Sequence, residues 1–146
     1  GVEENEPSPG LFELLAEALD HLETADRPVL VLEGFLLQLL RLLGYRPEFQ
    51  ECVRCRNQLP ARDAAHLSPT HGGAICASCR AGTPDAFPVT PEALGFLRGA
   101  GGTPLRLMDR IALPSTTVRE IMDAIHAFLC QVLGRPLRSA DFLGRL

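Results

Sequence analysis

The chain has 146 residues, 46% of them hydrophobic, and a formal net charge of −4. That length suits one domain with room for a small insert, and it buries roughly two-thirds of the surface its unfolded form exposes. A net acidic chain lacks the footprint of strong non-specific duplex binding, and no apolar run approaches the ~20 residues that span a membrane.

The charge is unevenly spread. Residues 1–26 carry eight acids and no Lys or Arg, whereas residues 98–146 carry seven Arg against four acids. Every one of the 14 basic residues is arginine, which a GC-rich genome explains as readily as function does. The first residues are acidic and polar rather than signal-like, which predicts a cytoplasmic protein. The start at Gly1 instead of methionine suits a fragment or a processed chain.

In chain order, residues 1–7 read as an acidic lead. Ser8-Pro9 marks a helix start, and Leu11, Phe12, Leu14, Leu15, Ala18, Leu19 and Leu22 follow at helical spacing. Asp26, with Pro28 in the first turn, starts a second helix that carries Leu32, Phe35, Leu36, Leu39, Leu40 and Leu43 to a C-terminal Gly44. The two predict a helical hairpin over residues 1–45.

Residues 46–82 break the helical pattern. Leu67 and Ile75 flank Thr70-His71-Gly72-Gly73, a short hairpin turn. Helix resumes at Thr90-Pro91 and runs to about Gly99. A glycine-rich loop and an ambiguous apolar piece, Leu105 to Leu113, come next. Thr117 and Glu120 match a capping box, ahead of a stripe of Val118, Ile121, Met122, Ile125, Phe128, Leu129, Val132 and Leu133 that Gly134 ends. Ser139 is placed to cap a last turn with Phe142 and Leu143. The expected fold is mainly α: a helical domain, its remaining helices in residues 83–146, with an inserted four-cysteine, zinc-ribbon-like module over 46–82.

Cys52-Val53-Arg54-Cys55 and Cys76-Ala77-Ser78-Cys79 form C-x2-C-x20-C-x2-C. Two residues between thiols let one tight turn aim both sulfurs at a point, and two such turns give the tetrahedron zinc prefers. In a chain with no export signal this spacing favours metal over disulfides. A redox-active dithiol pair, disulfides and an iron centre are the other readings of the same spacing. Four thiolates saturate zinc, so the expected role of Zn2+ is structural. Arg54, Arg56 and Arg80 stand close enough in sequence to offset the site's formal −2 charge.

His66 and His71 lie between the pairs as alternative ligands, His71 being more simply a turn residue. His21 and His126 fall on helices, with surface or core roles. Cys130 falls off the apolar stripe of its helix and reads as an inert odd thiol. No nucleophile elbow, phosphate-binding glycine loop or HExxH motif is present, so no catalytic residues and no enzymatic activity are expected.

Several segments together resemble the C-terminal part of the RecO family of bacterial recombination mediators. They are Leu11 to Leu15; Phe35-Leu36-Leu37 leading into Leu43-Gly44-Tyr45-Arg46-Pro47; the two cysteine pairs, the second preceded by Gly72-Gly73-Ala74-Ile75; and the closing Leu133 to Ser139 with Phe142-Leu143. Family members often have glycine after the first cysteine pair, where this chain has Arg56. The N-terminal OB-fold, the expected seat of single-strand binding, is not in the sequence.

The resemblance implies a non-catalytic protein of DNA repair, DNA recombination and the DNA damage response in the RecFOR pathway, bacterial and nucleoid-associated. It would anneal single strands and load RecA together with RecR. Its helical part would receive the acidic C-terminal tail of the single-stranded-DNA-binding protein, with Arg135 and Arg138 as candidates by charge. The other readings are a generic zinc-ribbon interaction or transcription module, and a small zinc or dithiol enzyme.

Overall fold

The computed structural model describes residues 9–134. Six helices and three strands follow in the order α1 (Pro9–Thr24), α2 (Pro28–Leu42), β1 (Ala65–Ser68), β2 (Gly73–Ile75), α3 (Ala77–Arg80), β3 (Phe87–Val89), α4 (Pro91–Ala100), α5 (Leu105–Met108) and α6 (Ser115–Leu133). The architecture is therefore mixed: a helical body plus an antiparallel three-stranded sheet of order β2-β1-β3, rather than the mainly helical fold the periodicity suggests.

Apolar residues at helical spacing build the body. From α2, Leu30, Val31, Leu37 and Leu40 face inward, and from α6, Ile121, Ala124, Ile125 and Phe128 meet them, one buried stripe per helix. Ala93, Leu94, Phe96 and Leu97 of α4 complete the core. Gly34 is where α5 crosses α2, since an added Cβ would lie 3.1 Å from the Met108 side chain. On α1 Leu14 and Ala18 are buried, while Phe12, Leu15 and Leu19 of the same apolar series stand exposed.

The helix ends depart from the expected caps in an instructive way. Asp26 does not cap α2; instead the backbone N–H of Arg27 donates to Asp109 at 2.6 Å and that of Asp26 at 3.2 Å. Nor does the Thr117–Glu120 box form: Thr117 is buried inside α6, and Glu120 accepts from the N–H and hydroxyl of Thr90 at 2.9 Å each. Thr90 in turn caps α4, its hydroxyl accepting from the Ala93 N–H. Glu17 does the same for α5, accepting from the Leu105 N–H at 3.0 Å. At the starts of α2, α4 and α5, acids distant in sequence thus accept from backbone N–H groups. Gly134, at φ 76, ends α6 in the left-handed conformation glycine favours. Ser139, Phe142 and Leu143, with Arg135 and Arg138, lie outside the described residues.

The hairpin turn after Leu67 forms, with Leu67 opposite Ala74 and His66 opposite Ile75. The third strand was not anticipated. Phe87-Pro88-Val89 pairs with β1 through Leu67↔Phe87 and Ala65↔Val89. Proline donates nothing to a ladder and is confined to edges, and β3 is an edge.

Candidate metal centre

Each cysteine pair sits on a turn shaped by its own backbone. In the first, the Cys52 N–H donates to Asn57 O at 2.9 Å and the Arg56 N–H to Cys52 O at 2.8 Å, closing a tight loop between the bridged residues Glu51 and Gln58. Arg56 pays for the closure with φ 68, a left-handed conformation that costs a non-glycine residue about 1 kcal/mol or somewhat more. This accounts for glycine being the better-suited residue there. In the second pair, Cys76 leaves β2 in an extended conformation and caps the single turn of α3, which brings Cys79 round beside it.

A short backbone seam holds the turns together. Glu48 N–H donates to Gly72 O at 2.9 Å, Ala74 N–H to Glu48 O at 2.8 Å and Val53 N–H to Ala74 O at 2.9 Å. Gly73 sits in this seam because a Cβ would run into the backbone of Glu48. Arg54 adds a clasp, donating to Gly82 O and, at 3.0 Å, to the Thr83 hydroxyl, while that hydroxyl donates to Cys79 O at 2.8 Å.

The outcome is that the sulfurs of Cys52, Cys55, Cys76 and Cys79 all lie within 4.8 Å of one another. Cys55 Sγ and Cys76 Sγ are 3.7 Å apart, matching the edge of about 3.8 Å in a tetrahedron of 2.3 Å metal–sulfur bonds. A disulfide would need about 2.05 Å, and none joins any two of the four. Four sulfurs so placed could hold one metal ion and leave it no open position. Neither His66 nor His71 belongs to the group. His71 Nδ1 instead lies 2.9 Å from the Ser68 hydroxyl.

The thiols already differ in acidity. Burial pushes Cys52 up, but backbone N–H groups of Cys55, Cys76 and Arg54 aimed at its sulfur outweigh this and bring it down to about 6. Cys79 is pushed up to about 12 by the Cys76 sulfur, then by burial and by Cys52 and Cys55. Cys55 gains from the Asn57 N–H, yet burial and the sulfurs of Cys76 and Cys52 leave it raised. One thiolate is thus tolerated and further ones are resisted, the behaviour of like charges sharing a site. A divalent cation removes that resistance.

Other residues position the centre, of which Phe128 belongs to the apolar stripe of α6 and Arg98 and Asp85 carry no periodic signal. Arg98 of α4 donates to Phe49 O at 2.9 Å and Leu59 O at 2.7 Å, tying the helical body to both limbs of the first cysteine turn. Phe128 of α6 meets the Phe49 ring edge-on at 5.8 Å and Tyr45 at 6.1 Å. Asp85 accepts from the Ser68 hydroxyl at 2.6 Å and from the Thr70 N–H and hydroxyl at 2.9 and 2.8 Å. Burial opposes ionisation of Asp85, but these hydrogen bonds outweigh it and hold the carboxyl below its usual range. Of the outlying residues, Cys130 is not isolated: its sulfur lies 3.4 Å from His126 Nε2. No helix among the described residues is long and apolar enough to cross a membrane.

Comparison with known proteins gives the same direction. A family model described as "Recombination protein O C terminal" matches residues 1–141. The chain is 32% identical over 143 residues to the DNA repair protein RecO of Dehalococcoides mccartyi, covering 98% of this chain and 56% of that one. It is 28% identical over 146 residues to RecO of Bacillus subtilis, covering 100% and 56%. Over 101 residues it is 39% identical to RecO of Rubrobacter xylanophilus, covering 68% and 40%. The chain thus spans about half the length of the curated relatives it matches. No solved structure gives a significant match. The chain belongs to the RecO family, matching its C-terminal part, a family of DNA repair and recombination.

Proposed function

We propose that this chain is the non-catalytic C-terminal adaptor of a recombination mediator, its four cysteines holding one structural zinc ion. In this reading residues 1–45 form a helical hairpin, 46–82 the zinc-binding insert with an edge strand lent by residues 87–89, and 83–146 the remaining helices. Cys52, Cys55, Cys76 and Cys79 are the ligands, and saturation by sulfur suits a site that folds a segment rather than activates water. The whole protein would assist strand annealing and RecA loading with RecR, in the bacterial cytoplasm at the nucleoid. Single-stranded DNA would be bound mainly by an N-terminal OB-fold in the rest of the protein.

The observation that carries the adaptor role is a groove of about 540 Å3 where the start of α2 meets the start of α6, lined by Leu30, Leu113, Val118 and Met122, with Arg27, Arg119 and one acid, Asp26, beside them. Apolar walls with arginine at the edge suit a peptide that ends in an aromatic residue and a carboxylate. The acidic tail of the single-stranded-DNA-binding protein has that chemistry. Arg27 and Arg119 thereby become the candidates among the described residues.

The test is a labelled acidic peptide ending in phenylalanine, titrated into the chain and followed by fluorescence anisotropy. Binding should weaken with salt, and amidating the terminal carboxylate or changing Arg119 to Ala should each weaken it about tenfold, ~1.4 kcal/mol. No binding at low salt, or indifference to both changes, contradicts the adaptor reading.

A further inference from the structure

Glu33 occupies a position that helical spacing gives to an apolar residue: it lies three residues after Leu30 and four before Leu37, on the buried stripe of α2. Its carboxyl went inside with that stripe. The residue is 5% exposed, and its Oε2 has no hydrogen-bond partner among the described residues. Buried charges are ordinarily paired, because an unpaired one is costly to keep out of water. Burial accordingly raises the carboxyl from its ordinary value to about 7. A glutamine or leucine would serve packing at lower cost, so packing alone gives no reason for an acid here.

The surroundings supply one. Glu33 lines a cavity of about 350 Å3 between α2 and α6, walled by Leu36, Met122 and Leu129. Three exposed polar residues of α6 also line it: Arg119, Asp123 and His126. Arg119 does not neutralise Glu33, since its guanidinium reaches Asp123 at 3.4 Å and is 75% exposed. The cavity therefore offers an inner carboxyl, an alkyl and thioether wall, and a polar mouth. Arg119 and Met122 also line the groove assigned above to an acidic peptide, so a protein segment lying along the α2–α6 seam passes both openings.

We propose that this cavity is a binding site for a lysine or arginine side chain of a protein partner, its cation meeting Glu33 and its methylene stem lying against Leu36, Met122 and Leu129. Long basic side chains suit such a place because their stems are apolar while their ends are charged. Pairing with an entering cation offsets part of the cost of keeping the Glu33 carboxylate out of water. The site reads one basic residue of a partner, independently of whether the neighbouring groove reads a terminal carboxylate.

The experiment uses the full chain labelled with 15N and a capped Ala-Arg-Ala peptide, with Ala-citrulline-Ala as its neutral isostere. The arginine peptide should give saturable shifts at the amides of Glu33, Leu36, Met122 and Leu129 with a millimolar dissociation constant, and the citrulline peptide none. Glu33→Gln, whose own spectrum reports that it is folded, should weaken the arginine peptide about tenfold. Arg27→Ala, at a residue that lines the groove and not this cavity, should leave it bound while impairing the acidic peptide, which separates this site from the adaptor reading. Equal shifts from both peptides, no saturation, or undiminished binding to Glu33→Gln would overturn the proposal.

Discussion

The helical body and the cysteine module occupy one short chain but cohere by different means. In the body, Leu37, Leu94, Ile121 and Phe128 are fully or almost fully buried, so apolar area removed from water does the stabilising. In residues 50–60 the only buried side chain is Cys52, and in residues 76–83 the only one is Thr83. Those segments are held by backbone hydrogen bonds, by Arg54 and Arg98, and by whatever joins the four sulfurs. The lesson is that a segment too poor in apolar residues to fold by burial can be fixed by a few covalently spaced ligands. The body should then fold without metal, together with the β1–β2 hairpin whose Leu67 and Ala74 share its core, and the two cysteine turns should not.

Breaking the ligand set gives the largest expected effect. Cys55→Ser should release zinc and forfeit binding energy on the order of 10 kcal/mol. Hydrogen exchange should then show residues 50–60 and 76–83 unfolded and the amides of α2, α6 and the β1–β2 hairpin still protected. Unchanged metal content and melting would remove the distinction between the two regions. Phe128→Ala probes the joint between them: losing a fully buried ring that touches Tyr45 and Phe49 should cost about 3–5 kcal/mol. Denaturant unfolding should show both regions weakened, whereas a loss confined to the helices would mean that the ring does not couple them.

Glu33 sharpens the comparison through pH. Because its folded pKa, about 7, lies above the ordinary 4.5, the folded chain binds more protons than the unfolded chain between those values. Stability from this group is therefore full at low pH and lost as pH rises through about 7. Glu33→Gln should gain on the parent with rising pH, by a difference on the order of 3 kcal/mol above pH 8. Arg119, Asp123 and His126 face the same cavity and are common to both proteins. A pH-independent difference in chemical denaturation would contradict the assignment. The smallest effect belongs to Arg56→Gly. Relief of the left-handed strain is offset by glycine's larger unfolded-state entropy and by loss of the exposed Arg56–Glu51 pair at 3.1 Å. Stability should change by less than about 1 kcal/mol with zinc retained, and a loss of zinc would show that the guanidinium supports the site.

How much of this was legible in the sequence follows the same division. The cysteine spacing announced a convergent site because two-residue gaps constrain local geometry by themselves. Helices α2, α4 and α6 were legible from apolar spacing and from proline and glycine at their ends. What escaped depends on distant partners. Asp109 and Glu120 cap helices far from them in sequence, and no local window contains both members of such a pair. Phe87-Pro88-Val89 reads as a non-strand until its edge position is known. Arg98 carried no signal that it would reach Phe49 and Leu59. Glu33 was readable in principle, since the spacing that identifies Leu30 and Leu37 also places an acid between them on the inward stripe.

The central claim is that Cys52, Cys55, Cys76 and Cys79 share one fully sulfur-ligated zinc ion. X-ray absorption at the zinc edge, on protein whose metal content has been determined, tests it most directly. One zinc per chain with four sulfurs at about 2.3 Å is expected. Metal-free protein, or zinc carrying a nitrogen or oxygen ligand in place of a sulfur, would contradict it.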